Sequence, residues 1–165
     1  MPAGVPLPAW ITPAQYAVLH RLVATLDAWQ VPYVASGGLA GNLHGSAWPL
    51  HDIDLDVPRA ALPRLAGAFS AGIRFGPAPY ADDEFDLELL GLVIDGVEVD
   101  CTAAESVVLV TPGGQRVARP TALDRAERRR VGAVEVRVLP LADLLAYKRL
   151  IGRTADVRDL EALGR

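Results

Sequence analysis

The chain has 165 residues, 51% of them hydrophobic and 22% charged, which suits about one folded domain with its own core and excludes disorder from low hydrophobicity. A net charge of -4 argues against a generally basic nucleic-acid-binding surface. A single cysteine, Cys101, excludes an internal disulfide and a thiolate zinc cage. No basic stretch precedes an apolar run, and no apolar run approaches the ~20 residues of a membrane span. The expectation is a cytoplasmic protein, and residues 1–165 read as one domain.

Residues 1–11 are proline-rich and read as irregular. Thr12 can cap a helix with Pro13 at its first position, and Tyr16, Leu19, Leu22, Val23 and Leu26 recur at helical spacing to about Gln30. Residues 31–35 form a short β-rich run that leads into Ser36-Gly37-Gly38. The segment from Leu39 reads as a short helix that ends near Gly45. Residues 52–57 alternate strictly and predict a strand that Pro58 stops, and residues 59–69 resume a helical pattern. Asp95-Gly96 is a two-residue hairpin turn between β-patterned runs. Residues 107–110 and 133–139 are further strands. Between them lies a polar connection whose charged segment, 124–130, reads as solvated unless it meets an anionic group or RNA. Pro140 opens a helix to about Ile151, and a last helix runs from about Ala155 to Leu163. This order predicts an α/β (α+β) domain with a mixed sheet flanked by helices.

Residues two apart in a strand share a face, so Asp52, Asp54 and Asp56 project together while Ile53, Leu55 and Val57 face the core. Adjacent carboxylates repel unless water or a cation screens them, and closely spaced hard oxygens suit magnesium. Thirteen residues, 39 to 51, separate Gly38 from Asp52, room for a short helix that returns the chain beside the preceding strand. Glycines at a strand-to-helix turn let backbone N–H groups approach phosphate oxygens. Lys148 falls on the apolar stripe of Leu141, Leu144, Leu145 and Ile151. Its stem either snorkels past the core or carries the ammonium into a cleft to meet an anion.

The run from Ser36 to Val57 resembles the signature of the DNA polymerase beta-like nucleotidyltransferase superfamily. Within it the chain is similar to small bacterial members: lincosamide and aminoglycoside nucleotidyltransferases of antibiotic resistance, and the nucleotidyltransferase toxins of toxin-antitoxin systems. The motifs that carry the resemblance cover residues 34–57, 97–101 and 141–163. It implies the nucleotidyltransferase fold and transfer of a nucleoside monophosphate from an NTP, ATP among them, to a hydroxyl- or phosphate-bearing acceptor, with release of pyrophosphate. A small molecule, RNA or protein can serve as acceptor, and a homodimer is compatible with such a cleft. Two Mg2+ ions, replaceable by Mn2+, would be held by Asp52, Asp54 and a third carboxylate on a later strand. Asp100 fits that third place, with Glu98 on the same face as the alternative. Ser36, Gly37 and Gly38 would hold phosphates, and Lys148 would offset their charge. Arg153, Asp156 and Asp159 also match the family's last helices, where surface or helix-to-helix ion pairs are the expected role. His20, His44 and His51 read as ordinary polar residues, although His51 could touch substrate.

One position departs from the family. Trp48 stands four residues before Asp52, where such members often carry arginine. It points to altered specificity, or to a binding protein that has lost catalysis and acts as half of a toxin-antitoxin or regulatory pair.

Overall fold

A computed structural model describes residues 4–163. Residues 4–11 contain neither helix nor strand, as expected, and residues 1–3 of that segment lie outside the described residues. Helix α1 spans Pro13–Ala28 and starts on a full capping box: Thr12 Oγ1 accepts from the Gln15 N–H, and Gln15 Oε1 accepts from the Thr12 N–H. These bonds satisfy two of the amides that a helix start leaves without partners. Its periodic residues Leu19, Leu22 and Leu26 are fully buried.

Strand β1 is short, Val34–Ala35, and helix α2 follows immediately over Gly37–Leu43. Both glycines therefore belong to the first turn of the helix, which begins two residues earlier than the sequence pattern from Leu39 implied. Strand β2, Ile53–Val57, runs antiparallel to β1, with Val34 opposite Asp56 and Ala35 opposite Leu55. The connection from Gly38 thus folds back as its length suggested. Helix α3, Ala61–Ala68, tolerates Pro63 because the ring sits in its first turn, where no intrahelical N–H bond is lost.

Strand β3, Ile73–Ala81, has no counterpart in the sequence reading; Gly76, Pro77 and Pro79 interrupt its β pattern, and it pairs only with β4, Phe85–Ile94. Strand β5, Val97–Ala103, completes the expected hairpin with β4. Its turn needs positive φ at both central residues, 49° at Asp95 and 77° at Gly96, the geometry for which Asp-Gly is favoured. Strands β6, Val108–Val110, and β7, Arg116–Ala118, pair antiparallel.

The charged segment 124–130 is not simply solvated coil. Residues Glu127–Val131 form β8, which pairs with β9, Val134–Val138. It lies at one end of the strand order, and its three arginines suit an edge strand that must not recruit another chain. Helices α4, Leu141–Leu150, and α5, Thr154–Leu163, close the described chain.

The nine strands form one mixed sheet in the order β7-β6-β4-β5-β2-β1-β9-β8, with β3 added beside β4. One large apolar cluster unites α1 with β2, β5 and β9 through residues such as Leu22, Leu55, Val99 and Val136. The expected mixed sheet with flanking helices is thus present. Among the described residues no helix is long and apolar enough to cross a membrane.

Candidate functional site

Strands β2 and β5 lie side by side and parallel, with Asp54 directly opposite Asp100. Alternation sends Ile53, Leu55 and Val57 into the core, all fully buried, and turns the aspartates to the other face. One oxygen each from Asp52, Asp54 and Asp100 lies within 4.8 Å of the others. Glu98 shares the Asp100 side of β5 but is exposed and takes a 2.8 Å bond from Arg74 Nη1. Of the two alternatives, Asp100 is the one brought to Asp52 and Asp54.

Three carboxylates so placed are costly to ionise together. Burial pushes the Asp54 carboxyl well above the usual carboxylate range, and the charges of Asp52, Asp100 and Asp56 push it further, with Lys148 opposing. The Asp100 carboxyl is pushed up to about 6, first by burial, then by the charge and close contact of Asp52. Hard, partly exposed oxygens with unrelieved mutual repulsion are a donor set that a divalent cation fits, because the cation supplies the missing positive charge.

Asp56 behaves differently, although it follows the same alternation. It is buried, and its two oxygens accept from Ser36 Oγ at 3.0 Å and Thr121 Oγ1 at 2.5 Å. Burial raises its carboxyl, and these two hydroxyls pull it back. The Ser36 side chain is therefore committed to Asp56, and its backbone is committed as well: the N–H donates to the Asp54 carbonyl at 3.0 Å and the carbonyl accepts from the Ala40 N–H at 3.1 Å.

Gly37 has φ of 57°, and a Cβ there would overlap the Asp54 carboxylate. A glycine at this point is thus required by the aspartate opposite as well as by the backbone. A Cβ on Gly38 would meet nothing within 4 Å. The Gly37 N–H donates to Tyr147 Oη at 3.1 Å, a contact that sequence reasoning missed. Burial, followed by the charges of Asp54 and Asp56, raises the Tyr147 hydroxyl above its ordinary range, so it stays protonated.

Lys148 neither snorkels nor stands free. It is 5% exposed, and its Nζ donates to Asp156 Oδ2 at 2.8 Å. Arg153 lies 3.7 Å from the same carboxylate and makes two 2.7 Å bonds to Glu84. Asp159 accepts from Ser46 Oγ at 2.6 Å. The paired aspartates and the arginine thus hold elements together, the role expected of them.

These groups open onto one cleft of about 950 Å3 that reaches from Ser36 and the carboxylates to Trp48, Lys148 and Arg153. That volume lies within the range of small-molecule sites. His51 lines it and is exposed, whereas His44 Nε2 lies 2.7 Å from the Leu139 carbonyl and His20 is exposed on α1.

Neither a protein-family model nor a curated protein matches the chain. Solved structures do. A candidate nucleotidyltransferase from Thermotoga maritima is 22% identical, with 92% of this chain and 93% of that one covered at a TM-score of 0.72. The lincosamide antibiotic adenylyltransferase LnuA, solved with lincomycin, is 12% identical over 88% of this chain and 95% of its own, at a TM-score of 0.56. The antibiotic-resistance factor ANT(2'')-Ia in solution is 14% identical over 90% and 88%, at 0.53. Identities this low speak to architecture, and on that ground the protein has the nucleotidyltransferase fold.

Proposed function

We propose that the protein is a magnesium-dependent nucleotidyltransferase that moves a nucleoside monophosphate from an NTP to a hydroxyl or phosphate of an acceptor and releases pyrophosphate. The observation that carries this reading is the meeting of Asp52, Asp54 and Asp100 within 4.8 Å at the floor of a cleft that also holds the Gly37 turn. Asp52, Asp54 and Asp100 would hold two magnesium ions, which neutralise the carboxylates and polarise the phosphate under attack.

The chain's own groups do the rest. Gly37 lies against the Asp54 carboxylate and the space around Gly38 is open, so a phosphate oxygen can come close to this turn and take the Gly37 N–H by displacing Tyr147 Oη. Lys148 is held at the cleft by Asp156 and offsets negative charge on the triphosphate or the departing pyrophosphate. The acceptor oxygen bonds to the α-phosphorus as the bond to the bridging oxygen of the β-phosphate breaks. Pyrophosphate leaves with that electron pair, and the acceptor's proton passes to Asp100 and then to water. The likeness to the lincosamide antibiotic adenylyltransferase LnuA makes a small antibiotic-sized molecule the first acceptor class to test, and ATP the first donor.

Asp54→Asn tests the reading. It is expected to abolish transfer and metal-dependent NTP binding while the far-UV circular dichroism stays that of the wild type. Full activity in that variant overturns the mechanism.

A second reading, a binding protein that has lost catalysis, draws on one observation. Ser36 Oγ, the Gly37 N–H and Lys148 Nζ are each already bonded within the chain, to Asp56, Tyr147 and Asp156. If those bonds are permanent the cleft cannot take a triphosphate. Thermal melting with NTP and magnesium separates the two, because only the enzyme reading predicts a shift that needs both.

A further inference from the structure

Of the three tryptophans, Trp10 and Trp29 pack against the core, but Trp48 does not. It is 49% exposed, on the loop between α2 and β2, and lines the same cleft as the three carboxylates. A large indole left at a cleft wall gains little from burial, so its position needs another account.

The loop beneath it is fixed to an unusual degree. Asn42, 5% exposed, donates from Nδ2 to the Ser46 carbonyl at 3.0 Å and to the Trp48 carbonyl at 2.7 Å. Ser46, 6% exposed, accepts from the Trp48 N–H at 3.4 Å and donates its own hydroxyl to Asp159 on α5. Two residues on, the Leu50 N–H donates to the Trp10 carbonyl at 2.9 Å, and the Leu50 carbonyl accepts from Gln15 Nε2 at 2.8 Å. Both backbone groups of Trp48 are therefore held by side chains that are themselves buried. Buried polar side chains commit hydrogen bonds where they fix a conformation, and here they fix the backbone that presents an aromatic ring to the cleft. A ring on a pre-fixed backbone loses little entropy when a flat partner stacks on it.

We propose that Trp48 is a stacking platform for the nucleobase of the NTP and so helps decide which nucleotide the cleft accepts. The inference rests on the nucleotidyltransferase reading above and goes beyond it by assigning the base a residue. An NTP carries one planar aromatic part, and its phosphates are claimed by the glycine turn and Lys148 in the same cleft. Base-on-aromatic stacking works for every base because each has a π face, and it strengthens with ring size. Purine nucleotides are thus expected to bind more tightly than pyrimidine nucleotides.

The test titrates ATP with magnesium into wild type, Trp48→Phe and Trp48→Ala, followed in parallel by tryptophan fluorescence and calorimetry, with inorganic triphosphate as the probe that lacks a base. Expected is saturable quenching by ATP in the wild type, absent with triphosphate and absent in Trp48→Phe. Trp48→Ala is expected to bind ATP roughly 5- to 150-fold more weakly and triphosphate within about twofold of wild type, with Trp48→Phe between the two for ATP. Equal ATP affinity in wild type and Trp48→Ala, or equal quenching by triphosphate, overturns the stacking role and leaves the nucleotidyltransferase reading standing; a ring on the acceptor would then be the remaining partner for the indole. No binding of any NTP to the wild type overturns both. The indole lies outside the core, so the alanine variant is expected to melt close to wild type, and that melt is the check on folding.

Discussion

In metal-free protein, Asp100→Asn is expected to stabilise the fold at neutral pH, because it removes one of three crowded charges and keeps the side-chain shape. The carboxyl stands at about 6 in the folded chain against an ordinary 3.8; burial is the largest cause, followed by Asp52 and then Glu98, with Arg74 opposing. A group whose carboxyl is raised on folding binds more protons folded than unfolded between those two values. Stability is therefore lost as pH rises from about 4 to about 6, and the deficit stays constant above that. The rise from 3.8 to about 6 corresponds to about 3 kcal/mol. Asp100 is only half-buried, and solvent screening reduces the figure to about 1 to 2 kcal/mol. For a chain of this length each kcal/mol moves the melting midpoint by about 2 to 4 °C. The variant is thus expected to melt about 2 to 8 °C above wild type at pH 7.5 in EDTA, and level with it at pH 4. Magnesium is expected to raise the wild-type midpoint and to leave the variant's almost unmoved. A variant that melts at or below wild type at pH 7.5, or whose advantage persists at pH 4, refutes the claim that burial and the neighbouring carboxylates make the Asp100 charge costly at this site.

Other outcomes follow from single contacts. Gly37→Ala places a methyl group on the Asp54 carboxylate at a positive φ. It is expected to lower stability by about 1 to 3 kcal/mol and to abolish Mn2+ binding read by electron paramagnetic resonance, while Gly38→Ala, with open space around its Cβ, binds the ion normally. Asp156→Ala leaves the buried Lys148 ammonium without its partner and is expected to cost about 3 kcal/mol in urea unfolding; Lys148→Met is expected to cost less, since it leaves only the more exposed carboxylate. Tyr147→Phe removes the acceptor of the Gly37 N–H and is expected to cost about 1 kcal/mol. If that bond competes with phosphate, the same variant binds inorganic triphosphate more tightly in calorimetry.

The parts of the fold that declare themselves in the sequence are those whose cause is local. The Thr12 cap, the Asp95-Gly96 turn and the strict alternation of β2 depend on neighbours within a few residues, and each stands where its pattern places it. Strand β3 was not legible because its prolines and Gly76 suit an open edge that pairs on one side only. The arginine-rich β8 hid for a related reason: edge strands carry charge, so the run reads as coil. At the site, Asp54 on β2 and Asp52 just before it could be read from spacing. Whether Asp100 or Glu98 joined them could not, because both sit on one face; Asp100 stands opposite Asp54 across the parallel pairing of β2 and β5, while Glu98 is exposed and paired with Arg74. Asp56 shows the same limit. Its alternation matches that of Asp52 and Asp54, yet Thr121, 65 positions away, turns it into a structural acceptor. Tyr147 stayed invisible because its partner lies 110 residues distant.

The central claim is that Asp52, Asp54 and Asp100 form a metal-dependent nucleotide site. Its most direct measurement is isothermal titration of the purified protein with a non-hydrolysable NTP analogue, with and without magnesium, alongside the Asp52→Ala/Asp54→Ala double variant. Binding is expected to require magnesium and to disappear in the double variant while its fold is retained. Binding that is equal with and without magnesium, or that survives loss of both aspartates, contradicts it.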